Sequence, residues 1–235
     1  MNINMNPNSE RHQSVVRMPD LAQVPEDLVS HAMEFQSTMM MYSGAIRKVK
    51  TKLEVLNDEL SVRNQRNPIE LIKSRVKRPK SIVEKLQRRG YPVTLESMKE
   101  HLDDIAGIRV ICTFVDEIYT VADMLARQDD IRIVAVKDYI KHPKPNGYRS
   151  YHMIVETPVF FSDSKKNMRV EVQIRTMAMD FWASLDHQLK YKKDIGGAAD
   201  RISRELKECA DVIADTDQRM LEIRQSIEAE GGTVM

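Results

Sequence analysis

Near both ends of the chain, apolar residues recur at alternating steps of four and three. From Pro25 onward Leu28, Ala32, Phe35, Met39, Tyr42, Ile46, Val49, Leu53, Leu56 and Leu60 form one continuous seam, and Ile202, Leu206, Cys209, Ile213, Thr216, Met220, Ile223 and Ile227 form another. That spacing stacks the listed side chains along one side of a helix, so it predicts two long helices that each want a helical partner. The partner is the other helix of the same subunit, a helix of a second subunit, or a mixture of both, and these arrangements stay open. Between the seams the texture changes. Strand-like runs occupy Gly107 to Val115, Ile131 to Tyr139, Tyr148 to Thr157 and Met168 to Arg175, each rich in β-branched or aromatic residues. Helical patterns cover Pro79 to Arg89, Leu95 to Leu102, Asp116 to Arg127 and Thr176 to Lys193. Together these predict a mixed sheet with helices packed on it, flanked by terminal helices. Residues 1–24 are rich in Asn, Pro and Gln without periodicity, which predicts a flexible arm.

Composition narrows the partners. Among 235 residues, 36 Lys+Arg balance 35 Asp+Glu for a net charge of +1, so no global field draws the chain to nucleic acid or to a membrane surface. No apolar stretch approaches the ~20 residues a membrane span requires, and MNINMNPNSERHQ has no apolar signal region. The two cysteines, Cys112 and Cys209, lack metal or redox spacing and read as reduced structural residues of a cytoplasmic protein.

Four constellations carry candidate chemistry. The first, Arg75-Val76-Lys77-Arg78-Pro79-Lys80-Ser81 with Lys85, Arg88 and Arg89, starts a helix at Pro79. Ser81, Lys85 and Arg88 then share a face while Ile82, Val83 and Leu86 turn inward. A helix N-terminus among cations suits a polyphosphate, although charge sorted in this way also describes an ordinary solvated face. The second is Asp103-Asp104 just before a strand with Arg109 in it. Mg²⁺ commonly takes one or two carboxylates plus substrate phosphates, and a guanidinium inside an apolar strand needs a carboxylate or a planar surface. A salt bridge from Arg109 to Asp103 or Asp104 is the alternative. In the third, Val170, Val172 and Ile174 alternate with Arg169, Glu171, Gln173 and Arg175, so one strand face is polar. Glu171 there can complete a two-carboxylate metal site with Asp104 or take a proton from an attacking hydroxyl. The fourth, from Lys137 to His152, is a loop punctuated by Pro143, Pro145, Asn146 and Gly147. It brings lysines, Arg149 and tyrosines together, a mixture that suits a nucleotide by stacking and charge.

Read in order, RVKRPKSIVEKL, DIAGIRVIC, KDYIKHPKPNGYRSYH and VEVQIRTMAMDFWASLDHQLKYK resemble the synthetase domain of the RelA/SpoT alarmone family, most closely its small single-domain synthetases. The resemblance implies an α+β fold: a nucleotidyltransferase-like synthetase domain with a mixed sheet over residues 67–195, a helical region over 25–66, and an oligomerising C-terminal helix over 196–235. It implies that ATP donates its β,γ-pyrophosphate to the ribose 3′-hydroxyl of GDP or GTP, with Mg²⁺ as cofactor. Arg75 and Arg109 match the arginines that sandwich adenine, and Lys77, Ser81, Lys85 and Arg88 fall at ATP-phosphate positions. Asp104 and Glu171 match the acidic, metal-associated pair. Tyr148 matches the guanine-stacking tyrosine, with Lys137, Lys144, Asn146 and His152 beside it. Gln173, Asp180 and Asp186 match acceptor-side polar residues, Asp180 standing where some relatives carry Asn and Asp186 where many carry Glu.

The resemblance further implies a homotetramer and no stable nucleic-acid partner. No His-Asp dipeptide occurs, and the residues upstream are too few for a hydrolase domain, so synthesis without hydrolysis is expected. Two rival readings are a nucleotidyltransferase releasing pyrophosphate and a non-catalytic nucleotide- or RNA-binding module. The absence of a Gly-Ser helix start followed by Asp-x-Asp counts against the first; the paired acids, which binding alone does not need, count against the second.

Overall fold

The computed structural model describes residues 26–64, 66–191 and 199–231; the arm expected over residues 1–24 lies outside the described residues. The chain divides after Gln36 into two compact units. The described part of the first is the opening of helix α1 (Glu26–Asn64), and the sheet, the other helices and every candidate site residue belong to the second.

Five strands, β1 (Ile69–Val76), β2 (Ala106–Cys112), β3 (Arg132–Asp138), β4 (Tyr151–Phe160) and β5 (Lys165–Thr176), form one sheet in the order β1-β2-β5-β4-β3. The β2–β5 pair is parallel and the other three pairs are antiparallel, which makes the sheet mixed, as expected. Short helices α2 (Pro79–Arg88) and α3 (Leu95–His101) join β1 to β2, α4 (Val115–Ala126) follows β2, and α5 (Met177–Tyr191) and α6 (Ala199–Ala229) close the chain. One sheet face is apolar: Val172 of β5 sits between Ile108 of β2 and Met153 of β4, and all three are buried. Burying such a stripe on both neighbours is what drives the sheet to form where it does.

Strand β1 was absent from the expected set. It is an edge strand, largely solvent-exposed and interleaved with charge, so it has no alternation for a sequence reading to detect. The strand expected to reach Val115 ends at Cys112 instead. Glu117 reaches back to accept the N–H of Phe114 at 2.9 Å, and this caps α4. Strand β4 begins three residues later than expected, because Gly147 at φ +87° turns the preceding chain out of the sheet.

Within one chain the two helical seams are placed differently. In α1 the stretch Tyr42, Ile46, Val49, Leu53 and Leu56 is buried, and polar contacts fasten the helix to the ends of the sheet. Lys48 donates to the carbonyl of Pro158 at 2.5 Å, Lys48 and Lys52 pair with Asp130 at 2.9 and 2.8 Å, and Asn57 accepts the Ile69 N–H at 3.0 Å. Periodicity reports that a stripe is buried without reporting by what.

In α6 the inward residues are Ala210, Asp217, Leu221 and Arg224, whereas Cys209, Thr216, Met220, Ile223 and Ile227 of the expected seam are exposed. The docking of α6 is polar. Arg224 grips Asp116 in a two-pronged bond of 2.6 and 3.2 Å and lies 4.7 Å over the Phe114 ring, and Thr176 donates to Asp217 at 2.5 Å. Hydropathy spacing cannot register such partners.

Substituting Leu53, which is fully buried, with Ala should cost about 2–5 kcal/mol by cavity formation. Val62→Ala, at 84% exposure on the same helix, should change stability by less than about 0.5 kcal/mol. Urea denaturation of the two variants checks the placement of the seam.

Candidate active site

Strand pairing lays the polar face out in rows. Across the sheet, Lys73 stands beside Arg109, Arg109 beside Gln173, Gln173 beside His152, and His152 beside Lys137. The next row pairs Arg75 with Gly107, Gly107 with Glu171, and Glu171 with Ile154. Residues directly opposite in neighbouring strands share a face, so residues far apart in sequence converge on one surface. Two cavities open there, of about 170 and 340 Å³. Arg75 and Arg109 line the smaller; Lys85, Lys137, Lys144 and His152 line the larger; Asp104 and Glu171 line both. The two acids therefore lie on the same side of the sheet.

Asp104 sits where three segments meet. The Lys77 N–H donates to the carbonyl of Ile105 at 2.8 Å, fixing the end of β1 against the entry to β2, and Pro79 at the first position then starts α2. Lys77 and Lys85 consequently reach the same oxygen, Asp104 Oδ2, at 2.5 and 2.6 Å. Burial opposes ionisation of Asp104, but these two ammonium groups outweigh it and hold the carboxyl below its ordinary range. Its other oxygen, Oδ1, is buried without a hydrogen-bond partner. Neighbouring Asp103 is taken up by Arg169 at 2.8 Å.

Glu171 is also held ionised. Burial opposes this, and His152, whose Nδ1 stands 3.5 Å from Oε1, together with Gln173, which donates to Oε2 at 2.8 Å, outweighs it. From here a polar chain runs to Tyr148. Arg175 donates to Tyr148 Oη at 2.5 Å, and the tyrosine lies 2.9 Å from His152 Nε2. A guanidinium can only donate, so the hydroxyl accepts from Arg175 and is free to donate to Nε2. The Tyr148 ring has Lys144 4.8 Å and Arg175 5.1 Å from its centroid.

The remaining expected residues divide into two sets. Arg109 pairs with Asp180 at 3.2 Å and not with Asp103 or Asp104, the alternative left open by the sequence. Asp180 Oδ1 also accepts from Arg175 at 3.2 Å, and Asn146 approaches Asp186 at 3.5 Å. Ser81 is half-buried on α2. Arg88 is exposed at its end and lines neither cavity, whereas Arg89 lines the larger one.

Among the described residues no group of three or more His, Cys, Asp or Glu is arranged to hold a metal. Two carboxylates on a common cavity, one with an unpartnered buried oxygen, nevertheless fit Mg²⁺, which takes its other ligands from water and substrate phosphates.

Comparison with known proteins decides the family. The profile for the region found in RelA / SpoT proteins matches residues 74–196. GTP pyrophosphokinase YwaC of Bacillus subtilis is 43% identical over 215 residues, which cover 92% of this chain and 99% of that protein. The chain belongs to the RelA/SpoT family. A second relative from this family, GTP pyrophosphokinase YjbM of Bacillus subtilis, is 35% identical over 83% of this chain and 90% of its own. Among solved structures, small alarmone synthetase 1 from Bacillus subtilis bound to its product pppGpp superposes with a TM-score of 0.75 at 34% identity, covering 83% of this chain and 99% of that one. Small alarmone synthetase 2 from the same organism superposes at 0.73 with 43% identity, covering 82% and 99%.

Sequence reasoning gave no site role to Arg175, Lys73 or Tyr139 in this RelA/SpoT site, and it named Arg89 only as part of the cationic run around α2. The alternation around Glu171 put Arg175 on the polar face, but its near-complete burial, 3% exposed, and its four hydrogen bonds to Tyr148, Gln173, Ser150 and Asp180 came only from folding.

Asp104 and Glu171 both ionise more readily in the folded chain than ordinary carboxyls do. Their contribution to stability is complete above the usual unfolded values of about 3.9–4.3 and is lost as pH falls through the lower folded values. Glu171→Gln should therefore flatten the loss of thermal stability between about pH 5 and pH 3, measured by circular dichroism melts. An unchanged slope would contradict the depressed ionisation of Glu171.

Proposed function

We propose that this protein is a (p)ppGpp synthetase: it transfers the β,γ-pyrophosphate of ATP to the ribose 3′-hydroxyl of GDP or GTP and releases AMP. The observation that carries this reading is the convergence of Asp104 and Glu171 on one cleft, with cations on one flank and the Tyr148–His152 pair on the other. Kinship with proteins named GTP pyrophosphokinases supports it.

In this reading Arg75 and Arg109 hold adenine between planar guanidiniums, and Lys77, Ser81, Lys85 and Arg88 receive the triphosphate. Asp104 and Glu171 are the residues that would hold Mg²⁺, which when bound supplies charge neutralisation to the phosphate oxygens. Tyr148 stacks on guanine. Lys137, Lys144, Asn146 and His152 meet the acceptor phosphates and sugar, and Gln173, Asp180 and Asp186 complete the acceptor side. Glu171 takes the proton of the 3′-hydroxyl as its oxygen bonds to the β-phosphorus; the bond from that phosphorus to the α–β bridging oxygen breaks, and AMP leaves with the bridging oxygen. Glu171 is ionised, as a proton acceptor must be.

The enzyme is further proposed to work in the cytoplasm as a homotetramer, with residues 67–195 as synthetase domain and the C-terminal helix joining subunits. No helix among the described residues is long and apolar enough to cross a membrane. Met177, Phe181, Leu185 and Leu189 are exposed at steps of four along α5, a stripe suited to burial against a second copy.

Incubation with ATP, Mg²⁺ and GDP should yield AMP and ppGpp in equal amounts, read by ion-exchange separation of nucleotides. Release of pyrophosphate would instead support a nucleotidyltransferase. Glu171→Gln should lower kcat by about 10²–10⁴-fold, and undiminished turnover would remove Glu171 from the reaction. Light scattering of Phe181→Glu should report a smaller mass than the parent protein.

A further inference from the structure

The connection between β3 and β4 carries Lys144, Asn146 and Tyr148, the residues to which the acceptor nucleotide is assigned above. It is a closed turn: the Gly147 N–H donates to the Lys144 carbonyl at 2.8 Å, the Lys144 N–H to the Tyr148 carbonyl at 3.2 Å, and the Tyr148 N–H to Asn146 Oδ1 at 3.3 Å. A turn that closes on itself still has to be placed. The Tyr148 hydroxyl is held by Arg175 and His152 and Asn146 approaches Asp186 at 3.5 Å; the backbone of the turn rests on α6, which begins at Ala199, beyond the last residue matched by the family profile.

Two observations describe that contact. Gly147 has φ +87°, and a Cβ built there would fall 2.5 Å from the Ala210 Cβ and 3.3 Å from the Lys207 Cα. The turn thus rests directly on the helix surface, an approach open only to glycine. Arg149 then fastens the two segments. Its Nη1 donates to the carbonyls of Gly147 at 3.2 Å and Ala210 at 3.3 Å, and its Nη2 donates to Asp211 Oδ1 at 3.1 Å. A rigid fork of donors can satisfy acceptors on two segments at once, which a lysine ammonium does with far less geometric control. Arg149 lines the small crevice between the turn, Trp182 of α5 and Ala210 of α6, and not the cavities that hold Asp104 and Glu171. The bed itself is anchored: Trp182 Nε1 donates to the Leu206 carbonyl at 2.8 Å, and Thr176 to Asp217 at 2.5 Å.

The geometry points to Arg149 as a positioning residue for the acceptor nucleotide, which staples the Tyr148-bearing turn onto α6 and makes the C-terminal helix part of the acceptor site without its touching substrate. This rests on the assignment of the acceptor to that turn. Losing the staple loosens the turn backbone that carries Lys144 and Asn146 and positions the Tyr148 ring, even though the Tyr148 hydroxyl keeps its bonds to Arg175 and His152, so acceptor binding then carries an added ordering cost. The donor side, built on β1, α2 and β2, is untouched.

The test uses the full chain with ATP, Mg²⁺ and GDP. Arg149→Lys should raise the KM for GDP about tenfold while the KM for ATP stays within about twofold, and the melt should remain cooperative. Gly147→Ala should raise the GDP KM in the same way, and adding Ala210→Gly to that chain should restore part of it, because it removes the atom at 2.5 Å. Equal rises in both KM values, or none, would overturn the role of Arg149. Failure of Ala210→Gly to restore any GDP affinity would overturn the role of α6. Parent protein that forms no AMP from ATP and GDP would instead sink the functional reading itself.

Discussion

The site is organised around one carboxylate shared by two ammonium groups. Asp104 lies just before β2, Lys77 just after β1, and Lys85 is the seventh residue of α2. Neither lysine would be in reach without the tight β1–α2 corner that Pro79 and the Lys77–Ile105 bond enforce. Buried charge is costly unless paired, and here the pairing is strong enough to overcome the burial of the acid. The arrangement concentrates positive charge beside an acid with one unpartnered oxygen. A triphosphate with its metal is the kind of ligand that satisfies both at once.

The parallel pairing of β2 with β5 does the rest. It sets Gly107 beside Glu171 and Arg109 beside Gln173, bringing the strand of Arg109 and the strand of Glu171 into one row. Because β4 continues the row on the other side of β5, His152 and Tyr148 stand across Glu171 from the arginines. A one-residue slip in either pairing would turn Glu171 or Arg109 to the apolar face. Val170, Val172 and Ile174, all buried, resist that slip, so the apolar side of the sheet protects the geometry of the polar side.

Charge also shapes the periphery. Phe114 lies under the guanidiniums of Arg66 and Arg224, which pair with Glu117 and Asp116 at the start of α4. Burial pushes the Glu117 carboxyl up even with these partners present. This cluster ties the C-terminal helix to the sheet on the side of α4, while Arg149, Trp182 and Thr176 tie it near the turn that carries Tyr148. The helix is held by polar contacts at both places, leaving Met220, Ile223 and Ile227 facing outward.

What the sequence determined by itself was local. Proline at the start of α2, the alternation of β5, the glycine turn before Tyr148 and the apolar stripe of α1 each reflect backbone or hydropathy preferences that act over a few residues, and each was legible. The four quoted blocks carried the family. Tertiary structure alone decided which acids and cations meet, that Arg109 pairs with Asp180, that Arg175 is buried behind Tyr148, that β1 is a strand, that α1 is fastened to the sheet, and that α6 docks on α4 and α5. These outcomes depend on strand register and on pairing between charged groups far apart in the chain. Neither leaves a periodic trace in the sequence, because a hydrogen bond or ion pair needs only one well-placed partner and not a repeating pattern.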